Sequence, residues 1–221
     1  MMAWGLAGKF SKGGDARASQ MNNDARSNAM SVSLKKGGNV NLSKEAPGAT
    51  KMRVGLGWSA RGGSGAAFDL DASAFMLAPN GKVRGDDDMI FYNQLSSKDG
   101  SVIHSGDNLT GDGDGDDETI LIDFLKMAAG VDKISICVTI HEAQSRRQNF
   151  GLVQDAYVRC VNEDTGVEIA RFDLTEDVSA ETAMIFCEIY RHGGDWKFRA
   201  VGQGYKNGLG PLASSFGVDV G

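Results

Sequence analysis

The chain has 221 residues and a mass of 23.4 kDa, with 23 Lys and Arg against 29 Asp and Glu, a net charge of −6 and a pI near 5.1. That length suits one large or two small domains with a sizeable core, and the negative field argues against a protein that binds nucleic acid or an anionic membrane by charge. Thirty glycines and only three prolines favour tight turns over extended linkers, a β-rich profile, and no run of about 18 apolar residues or basic-then-apolar start predicts membrane insertion or secretion.

Residues 1–29 are rich in Gly, Ala, Ser, Asn and Asp, with little beyond Trp4, Leu6 and Phe10 to bury. So little apolar area does not offset ordering entropy, so a disordered N-terminal extension is expected, with a docking tail as the alternative. Met30 opens a clean apolar and polar alternation, which raises the possibility that it is the working start. From there to residue 221 the chain reads as one domain of short strands, with candidates at 39–43, 51–58, 69–77, 89–92, 134–140, 157–162, 168–174, 183–190 and 196–200. The clearest is Ile134, Ile136, Val138 and Ile140 alternating with Ser135, Cys137 and Thr139, a period of two that turns one face into a core. Turn chemistry such as Pro79-Asn80-Gly81 and Asp164-Thr165-Gly166 bounds the runs. The segment 119–129 also satisfies helical spacing, and 178–183 could form one turn. The expected fold is all-β: a sandwich of two antiparallel sheets with short helical turns and acidic loops.

Charge is concentrated in one segment. Residues 69–118 carry twelve carboxylates against Lys82, Arg84 and Lys98, a net −9, which leaves +3 for the rest of the chain. Within it, Gly106-Asp-Asn-Leu-Thr-Gly-Asp-Gly-Asp-Gly-Asp-Asp-Glu118 packs six carboxylates into a turn-forming loop. Two carboxylates about 5 Å apart repel by about 3 kcal/mol at an effective dielectric near 20, so a cation is expected among them. Oxygen donors select a hard ion, and interleaved glycines let backbone carbonyls join, which suits Ca²⁺ with its 6–8 flexible ligands better than octahedral Mg²⁺. Asp112-x-Asp114-x-Asp116 opens like an EF-hand, but Asp117 stands where the sharp turn needs Gly, Asp123 where a bidentate Glu belongs, and flanking helices are missing. In Phe68-Asp69-Leu70-Asp71 the strand period sends both carboxylates to one side while Leu70 faces the core, so the pair could complete the shell from the sandwich edge.

Other signals are weaker. Gly55-Leu-Gly57 loosely matches a dinucleotide fingerprint, but Arg61-Gly-Gly-Ser-Gly65 follows where a helix must begin, so a glycine turn is expected. His141-Glu142 lacks the second histidine of a zincin, and His104, His141 and His192 are scattered, so ordinary strand or surface histidines are expected. Asp86-Asp87-Asp88 reads as a solvated turn and Arg146-Arg147-Gln148 as a solvated loop. Cys137, Cys160 and Cys187 form no Cys-x-x-Cys pair and read as small core hydrophobes in a reducing cytoplasm, with a thiol role toward a chalcogen oxyanion as the alternative.

Several ordered motifs together carry a resemblance: Phe68-Asp-Leu-Asp-Ala-Ser73, the Gly106 to Glu118 loop, Gln148-Asn-Phe-Gly151, Tyr157-Val-Arg159, Glu168-Ile-Ala-Arg-Phe-Asp-Leu174 and Trp196-Lys-Phe-Arg-Ala-Val-Gly-Gln-Gly204. From about Met30 to Val218 the chain resembles the TerD family, with its TerE, TerZ and cAMP-binding-protein-like relatives. The resemblance implies a β-sandwich that binds two Ca²⁺ ions in a cytoplasmic bacterial stress protein connected with tellurite, phage and colicin resistance, without established catalysis. Matched by motif position, it implies metal ligands at Asp69, Asp71, Asp107, Asn108, Thr110, Gly113 through its carbonyl, Asp116, Asp117 and Glu118. Asp112 and Asp114 fall at variable positions and are expected to set the field. It also implies partners among other tellurite-resistance proteins, one of them membrane-embedded, which would hold the protein at the inner face of the membrane without inserting it. The extension and the long turn 59–65 depart from the pattern. The alternative function is a Ca²⁺-dependent binder, or enzyme, for a small molecule or phosphate ester at the same site.

Overall fold

Residues 31–59, 68–106, 115–174 and 180–219 are described by the computed structural model of the chain. The predicted extension over 1–29 and most of the turn before Phe68 lie outside these residues. Among those described, the strands are β1 (Val32–Ser33), β2 (Asn39–Asn41), β3 (Lys51–Ser59), β4 (Leu70–Leu77), β5 (Met89–Ile90) and β6 (Val102–His104). They continue with β7 (Glu118–Asp123), β8 (Lys133–Ile140), β9 (Gln154–Asn162), β10 (Glu168–Asp173), β11 (Ala183–His192) and β12 (Asp195–Tyr205). Three short α-helices, α1 (Leu42–Glu45), α2 (Ala143–Arg146) and α3 (Leu209–Ser215), and two 3-10 turns (Asp86–Asp88 and Phe150–Leu152) punctuate them.

The strands form two six-stranded sheets, in the orders β1-β10-β9-β3-β7-β6 and β2-β12-β11-β8-β4-β5. Every pairing is antiparallel except β1 with β10. Alternation explains how they stack. Met52, Val54 and Leu56 of β3, Leu70, Ala72 and Ala74 of β4 and Ile134, Ile136 and Val138 of β8 belong to one buried apolar cluster between the sheets. The expected β-sandwich is the observed fold.

A second apolar cluster lies outside the second sheet. Phe75 and Leu77 of β4, Cys137 of β8 and Ile185 of β11 pack under Leu212, Ala213 and Phe216 at the C-terminal end, with the Phe75 and Phe216 rings 4.8 Å apart. β4 and β8 are therefore buried on both faces, whereas the alternation of Ile134 to Ile140 predicts a core on one face of β8. The covering helix α3 is not among the expected elements; Gly210 and Pro211 both fall in its first turn, where a missing N–H costs nothing.

Other expectations resolve locally. The ambiguous 119–129 stretch is strand only to Asp123, because Asp123 Oδ1 accepts the Leu125 N–H at 3.0 Å and turns the chain. Residues 42–45, partly assigned to strand, form α1, whose first turn is capped by Asn41. The triple aspartate is not merely solvated: Asp88 is buried and accepts from Arg84 Nε at 2.7 Å and Nη2 at 2.6 Å, a bidentate clamp on the turn before β5.

Candidate metal centre

The first acidic pair stands where β4 begins. Leu70 is in register with Ile140 and Asp71 with Thr139, while the Asp69 carbonyl accepts the His141 N–H at 2.8 Å. Leu70 is 1% exposed and faces the core, as the alternation predicts. Asp71 shares its face with Phe75 and Leu77, the outer side of the second sheet. His141 Nδ1 is 3.5 Å from Asp71 Oδ2, and Arg146 Nη1 is 3.6 Å from Asp69 Oδ2. Asp69 Oδ1 is buried and has no hydrogen-bond partner among the described residues. A buried carboxylate oxygen without a donor is costly, so its chemistry asks for a cation or a donor from outside.

Beside this pair opens a cleft of about 480 Å³, walled by Asp71, Thr139, His141, Thr182, Asn207 and Tyr92 among others. Its rim includes Glu142 and Asn207, both in the left-handed conformation at φ 49° and 74°.

Glu118 enters from the other sheet. Its Oε2 accepts the Ala72 N–H at 2.6 Å, and His104 Nε2 lies 3.2 Å from the Ala72 carbonyl and 3.5 Å from the same carboxylate. His104 Nδ1 accepts from the Gly106 N–H at 3.0 Å, so the ring proton sits on Nε2 and is donated to Ala72. Both side chains are 1% exposed. β5 pairs with β4 only at Ala74 and Phe75, so at Ala72 the strand edge is completed by these two side chains instead of by backbone. His104, expected to be ordinary, is half of a clip between the sheets.

Asp116 and Asp117 finish the acidic loop. Asp117 Oδ2 accepts the Trp58 N–H at 2.8 Å, and its own N–H reaches the Leu56 carbonyl at 2.7 Å, which extends the β3 pairing. Asp116 is held between two guanidinium groups, Arg53 Nη1 at 2.9 Å on Oδ2 and Arg159 Nε at 2.7 Å on Oδ1, with its side chain 3% exposed. The hydrogen bond to Asp116 holds the Arg159 pKa above its ordinary value. Tyr157 donates to the Gly115 carbonyl at 2.7 Å while Arg171 covers its ring at 3.8 Å. Burial, then the Asp116 charge, pushes the Tyr157 phenol up.

The glycine pair Gly55 and Gly57 explains this arrangement: both lie inside β3, in keeping with the strand expected over 51–58 and not in a glycine turn. A Cβ on Gly55 would sit 2.0 Å from Asp116 Oδ2, and one on Gly57 2.4 Å from the Tyr157 ring. They are glycines because a carboxylate and an aromatic ring lie flat on the strand.

Asp116 thus lies on the outer face of the first sheet and Asp71 on the outer face of the second. Sheets pack about 10 Å apart, so the structure does not bring these two expected ligands into one shell. Asp69 and Asp71 stand together, Glu118 reaches the adjacent Ala72, and Asp117 is at the β3 end. Asp107, Asn108, Thr110 and Gly113 lie outside the described residues. Among the described residues no three His, Cys, Asp or Glu side chains are close enough to form an ion-holding group. Arg146, read as part of a solvated loop, is the guanidinium found beside Asp69 among the described residues; its position at the end of α2 left no sequence signal.

The three cysteines are buried and unbridged. Burial pushes the Cys160 thiol up to about 12 and raises Cys137 and Cys187 as well. Folded protein at pH 8 is therefore expected to resist a chromogenic disulfide reagent and to release three equivalents of reaction only after unfolding. Fast reaction of the folded chain would return thiol chemistry to consideration.

Two antiparallel-dominated sheets with an acidic strand start and a loop pinned at its far end define the chain as a β-sandwich with an acidic edge. The chain belongs to the TerD family: residues 30–216 match the TerD domain. It is 62% identical over 190 residues to the tellurium resistance protein TerD of Serratia marcescens, covering 86% of this chain and 99% of that protein. It is 52% identical over 193 residues to general stress protein 16U of Bacillus subtilis, covering 87% and 100%. The crystal structure of a homologue of telluride resistance protein TerD from Streptomyces coelicolor A3(2) has a TM-score of 0.62 at 20% identity, covering 75% of this chain and 96% of that one, a likeness of fold. Among the described residues no helix is long and apolar enough to cross a membrane.

Proposed function

We propose that this TerD-family chain is a non-enzymatic calcium-binding protein of tellurium resistance and stress response, holding Ca²⁺ in its acidic segment and presenting an ordered surface to partners. The observation that carries it is the buried Asp69 Oδ1, without a hydrogen-bond partner among the described residues, beside Asp71 at the edge of a segment with net charge −9. Ca²⁺ would supply the countercharge that lets these oxygens stay close. Asp69 and Asp71 are the residues that would hold one ion, both carboxylates projecting from the same side of β4. A second ion falls to the Asp107, Asn108, Thr110 and Gly113 loop, with Asp117 and Glu118 at its downstream end. Asp116, saturated by two arginines, anchors that end.

Ca²⁺ is expected to stabilise the folded chain by about 2.7 kcal/mol at a hundredfold excess over its Kd, and chelator to reverse this. Asp69→Asn with Asp71→Asn should remove most of the calcium-dependent rise in melting temperature and weaken binding in isothermal titration. A melting curve indifferent to both chelator and Ca²⁺ readdition in the unsubstituted protein would overturn the proposal.

By family likeness the partners are other tellurite-resistance proteins, including a membrane-embedded one. Such partners would hold the protein in the cytoplasm, at the inner face of the membrane. A second reading is favoured by the cleft of about 480 Å³ walled by Asp71, within the size range of small-molecule sites. A calcium-dependent small-molecule binder would use it, and ligand-induced shifts of His141 and Tyr92 resonances that require Ca²⁺ would select this reading over pure calcium binding.

A further inference from the structure

We infer that Arg146 is a built-in counter-cation for Asp69 that competes with the incoming ion and so sets the calcium affinity of the site. The inference rests on the calcium reading above. Asp69 is 8% exposed, and the Arg146 guanidinium, 3.6 Å from its Oδ2, is the positive charge that the described residues offer it. At that separation the pair falls short of a hydrogen bond, and Oδ1 is left with no donor among the described residues. Arg146 therefore compensates the charge of the carboxylate without saturating its oxygens. A divalent ion can do both.

The turn that carries Arg146 is built to hold it in place and to take it back. Arg146 ends α2, a single turn closed at both ends by left-handed residues, Glu142 at φ 49° and Arg147 at φ 54°. Backbone bonds from Arg146 N–H to Glu142 O at 3.0 Å and from Gln148 N–H to Ala143 O at 2.8 Å fix its shape, and Ser145 Oγ donates to Glu142 O at 2.9 Å. Placing the guanidinium over Asp69 thus costs little further backbone entropy. On the same turn, Glu142 Oε2 lies 3.6 Å from Arg146 Nε, and its side chain is 61% exposed. When an ion takes Asp69, Arg146 has a second carboxylate to pair with, one in water and outside the ion's donor set. Two cations sharing one carboxylate are thermodynamically coupled, and the coupling is reciprocal.

The test uses the full chain, with Ca²⁺ titrated into chelator-treated protein and melting curves taken in chelator and in saturating Ca²⁺. Arg146→Gln is expected to bind Ca²⁺ about tenfold more tightly. Its melting temperature should fall by a few degrees in chelator and stay near that of the unsubstituted protein in Ca²⁺, so the calcium-dependent gap widens. A merely structural role would lower both temperatures alike. Arg146→Lys should return the affinity toward its original value. Glu142→Gln, which removes the alternative partner, should weaken Ca²⁺ binding, and this effect should disappear in the Arg146→Gln background. Unchanged or weaker Ca²⁺ binding by Arg146→Gln, in a protein that otherwise binds Ca²⁺, overturns the competition and leaves the calcium reading standing. Absence of Ca²⁺ binding by the unsubstituted chain overturns both.

Discussion

Asp116→Ala is expected to lower the melting temperature by roughly 6–12 °C, from a loss of about 3 kcal/mol in a domain of this size. The carboxylate is 3% exposed and bridges Arg53 to Arg159, so its removal leaves two guanidinium groups facing each other with Glu163 and Glu168 as their remaining partners. Because both arginines keep a quarter or more of their side-chain surface in water, the low end of the range for breaking a buried pair applies. Gly55→Ala should cost a similar amount by a different route, since its Cβ would come within 2.0 Å of Oδ2 and expel the carboxylate. The double variant decides whether the glycine serves the aspartate: with Asp116 already gone, Gly55→Ala should add little. Thermal or urea unfolding that shows the two losses simply summing would mean that the alanine clashes with something else. Calcium affinity is a separate readout, and it should change less in Asp116→Ala than in the Asp69 and Asp71 variants.

Glu118→Ala should be comparably severe, with a loss of about 3–4 kcal/mol. It strips the acceptor from the buried Ala72 N–H, leaves His104 beside a void and opens the link between β7 and β4. Glu118→Gln keeps a carbonyl oxygen in the same place and should cost only about 1 kcal/mol. That contrast separates a structural clip from a metal ligand. If Glu118 chiefly binds an ion, the Gln variant will unfold normally in chelator but lose calcium-dependent stabilisation; if it chiefly grips Ala72, the Ala variant will be unstable with or without Ca²⁺. Urea midpoints measured in both conditions distinguish the cases.

The reason this clip matters is its address. Ala72 directly follows Asp71, and the peptide held by Glu118 and His104 is the one that sets how the first acidic pair projects from β4. The acidic segment is therefore organised from both sides. Its downstream end is pinned to β3 and β9 through Asp116, Gly115 and Tyr157, and its upstream pair is registered against β8 and steadied by β6 and β7. Both anchorages are supplied by strands distant along the chain.

Much of this is legible in the order of the residues alone. The alternation of Ile134 to Ile140 marks a strand because side chains in an extended chain alternate by geometry, and Phe68-Asp-Leu-Asp places Leu70 inward for the same reason. Local rules fail where the deciding neighbour is far along the chain. Gly55 and Gly57 sit in the strand expected over 51–58, but why they are glycine is not legible there, because their partners Asp116 and Tyr157 are some sixty and a hundred residues away. Arg146 reads as solvated for the same reason, its nearest carboxylate across the fold being Asp69.

By itself the sequence determined the class of fold, the family, and the confinement of negative charge to one segment, since periodicity, motif order and composition are properties of the chain as written. Only the tertiary structure decided how those carboxylates are shared out: Asp69 and Asp71 on one face, Glu118 inside the sandwich, Asp116 on the opposite face between two arginines. The physical reason is that a carboxylate's role depends on which donors and cations reach it, and in a sandwich those come from strands paired across long sequence separations.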